Sequence, residues 1–399
     1  MKLYRNLTEA VVASLHEIFI EKRYADKVIE KVLKQNPKWG ARDRRFIAET
    51  TYDIVRWHRL FYNLVDCDPE DFWKLLGAWC IWNKIDPPDW DEFQGLNKPT
   101  FYERWDKAQH VIKIKESIPD WLDDLGRQEL GKAWEKEIHA LNEQAKVVLR
   151  VNTLKVTRKE LQQQLKDEGI IADAPKEYPD ALILEERQNI FTRQQFRDGL
   201  FEVQDAGSQL IAPFLQPKPG MRVVDACAGG GGKTLHIAAL MQDKGRIIAM
   251  DTEDWKLDEL KKRARRAGAS NNIETRVIDS SKVIKRLENS ADRVLLDVPC
   301  SGLGVLRRNP DAKWKLSPEF IEKIKVTQQT LLTDYSAMLK VGGLLVYSTC
   351  SILPSENQKQ VEEFIKTNAG KFELEEQRSL MPSEGFDGFF MSRMKKLGT

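Results

Sequence analysis

Between Met221 and Thr349 the sequence repeats one device, a short apolar run of strand-like composition that breaks off at a carboxylate or a cysteine and gives way to a turn and a helical stretch. Arg222-Val223-Val224-Asp225 leads into the glycine loop Ala226 to Lys233 and a helix from Thr234 to Met241, and Arg246 to Asp251 supplies the next strand. That is a βαβ unit. Further strands are expected to end near Asp279, at Asp297 and at Thr349, with helices over Trp255–Ala267, Pro318–Leu339 and Glu356–Thr367. Such alternation specifies an α/β fold with a mostly parallel, doubly wound sheet, whose ligands bind outside the carboxyl ends of the strands.

Two of these strands deliver a thiol. Val294 to Asp297 runs into Val298-Pro299-Cys300-Ser301-Gly302, and Leu344 to Thr349 into Cys350-Ser351. A lone free cysteine is ordinarily a small buried hydrophobe. Two at matching strand ends, one beside a carboxylate, point to a shared crevice, with Cys350 the stronger candidate for chemistry.

The loop Asp225-Ala226-Cys227-Ala228-Gly229-Gly230-Gly231-Gly232-Lys233-Thr234 follows a strand and opens a helix, where backbone N–H groups can approach a ligand. A P-loop would need glycine where Cys227 stands, and a dinucleotide fingerprint would need glycine where Thr234 or Leu235 stands. Asp251, ending the next strand, is placed to accept from ribose hydroxyls, and Asp279 from an adenine amine. With no phosphate-neutralising pattern beside them, S-adenosylmethionine fits better than ATP or NAD.

The preceding chain divides in two. Residues 1–115 carry apolar residues at three- and four-residue spacing and read as all-α, with Trp39, Trp57, Trp73, Trp79, Trp82, Trp90 and Trp105 filling a bundle core. Arg42, Arg44, Arg45, Arg56 and Arg59 crowd one stretch, which suits RNA backbone contact and a solvated surface equally. Residues 116–216 read as a helical connector and a small α+β module, with strands at Val147–Asn152 and Ala181–Leu184 and a helix capped by Thr157; residues 217–399 form the last domain. Lys261 to Arg266 and Arg307-Arg308 are local basic runs in a chain of formal net charge only +2. The five cysteines are odd in number and form no CxxC pair, so neither disulfides nor a metal are expected. With no leader-like N-terminus and no apolar stretch long enough for a bilayer, a cytoplasmic monomer is expected.

DACAGGGGKT, LLDVPCSGLGVLRRNPDAKWK, YSTCSILPSEN and the terminal DGFF together resemble the Sun/Nop (RsmB-like) RNA 5-methylcytosine methyltransferases, and the likeness extends upstream through VLRVNTLK and GLFEVQDAGSQL. It covers the chain from about Pro119 onward. The resemblance implies a Rossmann-like methyltransferase domain, a preceding RRM-like module and a NusB-like helical N-terminus, the last matched only around ARDRRFIAET. It implies that Cys227, Ala228, Gly229, Gly230, Gly231, Gly232, Lys233, Asp251, Asp279 and Asp297 line the cofactor site, that Cys350 is the nucleophile and that Cys300 assists product release. The family usually has Ala-Pro where this chain has Gly229-Gly230, which makes the loop more permissive.

Carbon 5 of cytosine is a poor nucleophile, and a thiolate added to carbon 6 makes it enamine-like. Cys350 is assigned that addition, Asp297 is expected to be a protonated acid donating to ring nitrogen 3, and Lys233 to favour the thiolate or orient Asp297. The base must be unpaired or flipped. A DNA methyltransferase would place its nucleophile in the Pro-Cys motif instead. A silent RNA-binding assembly factor would have no need of the intact cysteines and acids. Ribosomal RNA is favoured over transfer RNA by the N-terminal resemblance.

Overall fold

The structure, a computed structural model, describes residues 2–398. The chain forms two compact units, 1–143 with 306–318, and 144–305 with 319–399. This differs from the division expected at residues 115 and 216. The connector helices Asp120–Leu130 and Trp134–Asn142 belong to the first unit, and so does a segment that leaves the second unit after Val305 and rejoins it at Glu319.

Among its described residues the regular elements of the first unit are all helices. In Arg5–Phe19 the buried positions Leu7, Val11, Leu15 and Ile18 recur at helical spacing and define one apolar face. Asn97 starts Lys98–Ala108 by accepting the Thr100 N–H at 3.0 Å, with Pro99 in the first turn where its missing N–H costs nothing. Trp79 is in the core, and Trp39, Trp57, Trp73, Trp82, Trp90 and Trp105 pack against it. Leu306–Pro318 is built into this unit: Lys313, 1 % exposed, donates to the Arg56 carbonyl at 2.8 Å, and Trp314 Nε1 to the Val55 carbonyl at 2.7 Å.

The arginine cluster does not form a surface patch. Arg56 is buried and donates to the carbonyls of Leu306 and Arg307, while Arg59 bonds the Ile118 carbonyl and Asp120. Only Arg42 and Arg45 are exposed, Arg45 paired with Glu49. Arg307, from the second basic run, is buried with Nε on the Ala140 carbonyl at 2.6 Å.

The second unit holds two sheets. The smaller has strands β1 (Val148–Val151), β2 (Ala172–Asp173), β3 (Ala181–Leu184) and β4 (Phe201–Val203) in the order β2-β3-β1-β4, all antiparallel, with a helix between β1 and β2 and another between β3 and β4. This is the split βαβ arrangement of ferredoxin-like and RRM-like modules. Thr157 caps the first helix, accepting from the Glu160 N–H, while Glu160 accepts from the Thr157 N–H, a reciprocal capping box.

The larger sheet comprises β5 (Arg222–Asp225), β6 (Arg246–Asp251), β7 (Ile273–Val277), β8 (Ala291–Asp297), β9 (Leu339–Thr349), β10 (Phe372–Leu380) and β11 (Phe389–Lys396), in the order β10-β11-β9-β8-β5-β6-β7. Only β11 runs against the other six. Alternate residues serve opposite cores: Val223, Ile247, Leu295 and Val346 face one helix layer, and Val224, Ile248, Val294 and Leu345 the other. The chain moves outward from β5 on one side and β8 on the other, so the carboxyl ends of these two strands flank the topological switch point.

Candidate active site

Asp225, Asp251 and Asp297 end β5, β6 and β8. Asp279 does not end β7: it lies two residues past Val277, exposed, with the Ser280 hydroxyl on its carboxylate at 2.9 Å. The sheet brings β8 and β9 into register with Asp297 opposite Ser348, whose hydroxyl donates to Asp297 Oδ1 at 2.9 Å. Both strands end here, and the turns beyond them carry the cysteines. Cys300 Sγ and Cys350 Sγ lie 3.3 Å apart.

The second oxygen of Asp297 accepts from Lys233 Nζ at 2.5 Å. Asp297 therefore receives donors on both oxygens, one from an ammonium. In both bonds Asp297 is the acceptor. Burial alone would lower the lysine's pKa, but the charge and hydrogen bond of Asp297, with Cys350 and Asp225 beyond, raise it above its ordinary value. The Cys300 thiol is held well above the usual cysteine range, first by its hydrogen bond to Cys350, then by burial and by the charge on Cys350.

The glycine loop turns beneath this group. Gly231 has φ +84° and a Cβ there would collide with Leu260, so only glycine fits, and Gly229 has φ +52° with open space where its Cβ would be. Two loop carbonyls are held from behind: Arg263 Nη1 donates to the Gly230 carbonyl at 2.6 Å, and Arg150, from β1, to that of Gly232. Arg263 and Arg266 both bond the buried Glu202 of β4, Arg263 Nη2 at 3.0 Å and Arg266 Nη2 at 2.6 Å. The basic run Lys261 to Arg266 is therefore split by the helix period into this inward pair and an exposed face carrying Lys262 and Arg265. Ala228 donates to the Met250 carbonyl at 2.9 Å. Burial, then the charges of Asp225, Asp297 and Asp251, push the Cys227 thiol well above its usual range, which leaves it inert.

The donor set fits S-adenosylmethionine. Asp251 accepts the Gly229 N–H at 2.9 Å and the Glu253 N–H at 3.0 Å, one on each oxygen, and a carboxylate has about four acceptor sites, so capacity for a ribose diol remains. Asp225 is buried, takes the Thr234 hydroxyl at 2.7 Å on Oδ2, and has no partner on Oδ1. Lys233, the cation that ends the loop, is already paired. An acid-rich site of this kind suits hydroxyls, amines and a sulfonium, not phosphates.

Sequence reasoning missed the groups that brace the thiols. Gly304 donates to the Cys350 carbonyl at 2.8 Å and accepts from the Gly388 N–H at 2.7 Å; any Cβ at Gly304 would strike both neighbours, which gives the terminal DGFF stretch a role in fixing Cys350. Ser301, Ser351 and Glu356 are joined by hydrogen bonds. The repeat Cys-Ser-x-Leu at 300–303 and 350–353 was the available signal for them.

Residues 212–395 match the family model described as 16S rRNA methyltransferase RsmB/F, and residues 118–191 the ferredoxin-like domain of Methyltr_RsmF/B-like proteins. A Synechocystis protein named "Probable ribosomal RNA small subunit methyltransferase B" is 34% identical over 390 residues, covering 88% of this chain and 87% of its own. The ribosomal RNA small subunit methyltransferase B of Serratia proteamaculans is 34% identical over 287 residues, 70% of this chain and 66% of its own. Among solved structures, that of PH0851 superposes with a TM-score of 0.83 at 25% identity, covering 99% of this chain and 100% of the other.

Proposed function

The chain belongs to the RsmB/F family of ribosomal RNA methyltransferases, and from that premise we propose that it methylates carbon 5 of a cytosine in 16S rRNA through a covalent adduct on Cys350. The observation that carries this reading is the pair of thiols 3.3 Å apart at the ends of neighbouring strands, beside the Lys233–Asp297 ion pair.

S-adenosylmethionine, when bound, supplies an electrophilic methyl group on its sulfonium. Asp251 and the loop from Cys227 to Gly232 hold it, Asp251 through the ribose hydroxyls. The Lys233 ammonium favours the thiolate form of Cys350, which adds to carbon 6 of the flipped base and makes carbon 5 nucleophilic. Asp297, an acceptor, suits the exocyclic amine of cytosine. Cys300 begins as a thiol. Once Cys350 sulfur is bonded to carbon, it no longer carries the charge or accepts the hydrogen bond that helped raise the Cys300 pKa, and burial and the charge of Glu356 remain. To act as the base at release, Cys300 first gives its own proton to water, and the thiolate so formed takes the carbon 5 proton as Cys350 is expelled as a thiolate.

Both thiols must stay reduced for this sequence, which supports a cytoplasmic enzyme, and every group used comes from one chain, which supports a monomer. Among the described residues no helix is long and apolar enough to cross a membrane. Bisulfite sequencing of RNA from cells lacking the protein tests the substrate: loss of one 5-methylcytosine in 16S rRNA is expected, and loss confined to transfer RNA would overturn it.

A further inference from the structure

Each cysteine is followed by a serine and, two residues later, a leucine, and the two turns are held alike. Ser301 Oγ and Ser351 Oγ both donate to Glu356 Oε1, each at 2.5 Å, and each accepts the N–H two residues on, Leu303 at 3.3 Å and Leu353 at 3.2 Å. Glu356 Oε2 takes the Ser301 N–H at 2.8 Å and Gln328 Nε2 at 3.0 Å, and the same amide reaches the Pro299 carbonyl at 3.1 Å. The side chain is 0 % exposed, and its four donors are neutral.

A carboxylate this deep is costly unless every lone pair is used, and apolar packing would serve stability as well. What the arrangement does secure is position. One carboxylate oxygen receives a hydroxyl from the turn carrying Cys300 and another from the turn carrying Cys350, so neither turn can shift without breaking a bond to the same atom. The next residue adds to the grip: Asn357 accepts from Thr349 Oγ1 at 2.5 Å and donates to the Ser351 carbonyl at 2.9 Å.

We propose that Glu356 is a positioning residue for both thiols, fixing the turn after β8 to the turn after β9 and so setting the separation through which Cys300 and Cys350 communicate. This rests on the reading that Cys350 adds to the base and Cys300 serves release. Ser351 is then the tether for the addition step and Ser301 the tether for the release step.

The test uses the full chain with unmodified 16S rRNA and S-adenosylmethionine, following adduct formation and adduct decay by rapid quench, with cofactor affinity by calorimetry as the control for folding. Glu356→Gln keeps the volume and exchanges an acceptor for a donor. It should leave cofactor affinity unchanged and slow both steps by about tenfold or more, since a misplacement of about 1 Å can cost on the order of 100-fold. Ser351→Ala should slow formation alone; Ser301→Ala should slow decay alone, so that methylated adduct accumulates. Adding Ser351→Ala to Glu356→Gln should slow formation no further, because both remove one tether. Wild-type rates in Glu356→Gln with intact cofactor affinity would overturn the proposal, as would serine variants that slow both steps alike. Should Glu356→Gln lose cofactor binding, the serine pair decides by the same split. A wild-type protein that methylates without forming any adduct removes the covalent reading and this proposal with it, before any variant is compared.

Discussion

Lys233 Nζ lies 2.5 Å from Asp297 Oδ2, joining the first turn of the helix after the glycine loop to the end of β8. The pair holds the ammonium near enough to Cys350 for the two to interact. Lys233→Met should therefore slow formation of the Cys350 adduct by about tenfold or more, while Lys233→Arg, which keeps the charge, should lose less. Rapid-quench adduct formation checks this; a wild-type rate in Lys233→Met removes Lys233 from the addition step.

Asp251→Ala should weaken S-adenosylmethionine binding by roughly ten- to a hundredfold, the value of a charge-assisted hydrogen bond. Part of that loss comes from the loop, because Asp251 also holds the Gly229 N–H. Asp251→Asn, which keeps one acceptor, should lose less. Calorimetry that finds Asp251→Ala unchanged takes Asp251 out of the site.

Burial, with the charge of Asp297 adding to it, pushes Asp225 up to about 7, against the hydrogen bond from Thr234 and the Lys233 charge nearby. The folded state therefore holds a proton that the unfolded chain, with an ordinary aspartate, releases near pH 4. From this group alone, stability falls as pH rises from about 4 to about 7, by on the order of a few kcal/mol. Asp225→Asn keeps an acceptor for Thr234 and removes the titration. The difference in Tm between variant and wild type should grow in the variant's favour across that interval, and a flat difference contradicts the burial argument.

Arg56→Ala should destabilise the helical unit by roughly 2–4 kcal/mol, because buried carbonyls at Leu306 and Arg307 lose their donor. Arg42→Ala, at an exposed position, should change stability by no more than about 0.5 kcal/mol. Urea denaturation reads both. Equal stability in the two variants would mean that Arg56 does not hold the 306–318 segment.

The parts of this molecule that could be read from the sequence are those fixed by local pattern. The strands Arg222–Asp225, Arg246–Asp251 and Ala181–Leu184 fall at the expected residues because short apolar runs bounded by Asp or Gly leave few alternatives. Phe372–Leu380 was not legible: it is an edge strand, mostly exposed, whose charged sequence Phe-Glu-Leu-Glu-Glu-Gln-Arg-Ser-Leu shows no buried face, and pairing with β11 is what makes it a strand. Nor was the placing of Leu306–Pro318, since Lys313 and Trp314 find their partners on a helix some 250 residues earlier in the chain. At the site, the strand-end acids were visible one by one. Their partners were not, because the meeting of Ser348 with Asp297, or of Ser301 with Glu356, is set by sheet register and not by spacing. Asp279 lies two residues past the end of β7 at Val277, so its position was legible only to within a short loop.

The two thiols carry the central claim, and their roles separate in one experiment. Wild type, Cys350→Ala, Cys300→Ala and the double variant are incubated with 16S rRNA and S-adenosylmethionine and run on denaturing gels, with cofactor binding checked in each because a Cys→Ala change at a half-buried position removes packed sulfur. If Cys350 bonds carbon 6, its loss abolishes both methylation and adduct. If Cys300 acts only afterwards, its loss permits addition and methyl transfer but stalls release, and a methylated protein–RNA adduct accumulates; the double variant forms none. An adduct that vanishes in Cys300→Ala and persists in Cys350→Ala would contradict the assignment and reverse the two roles.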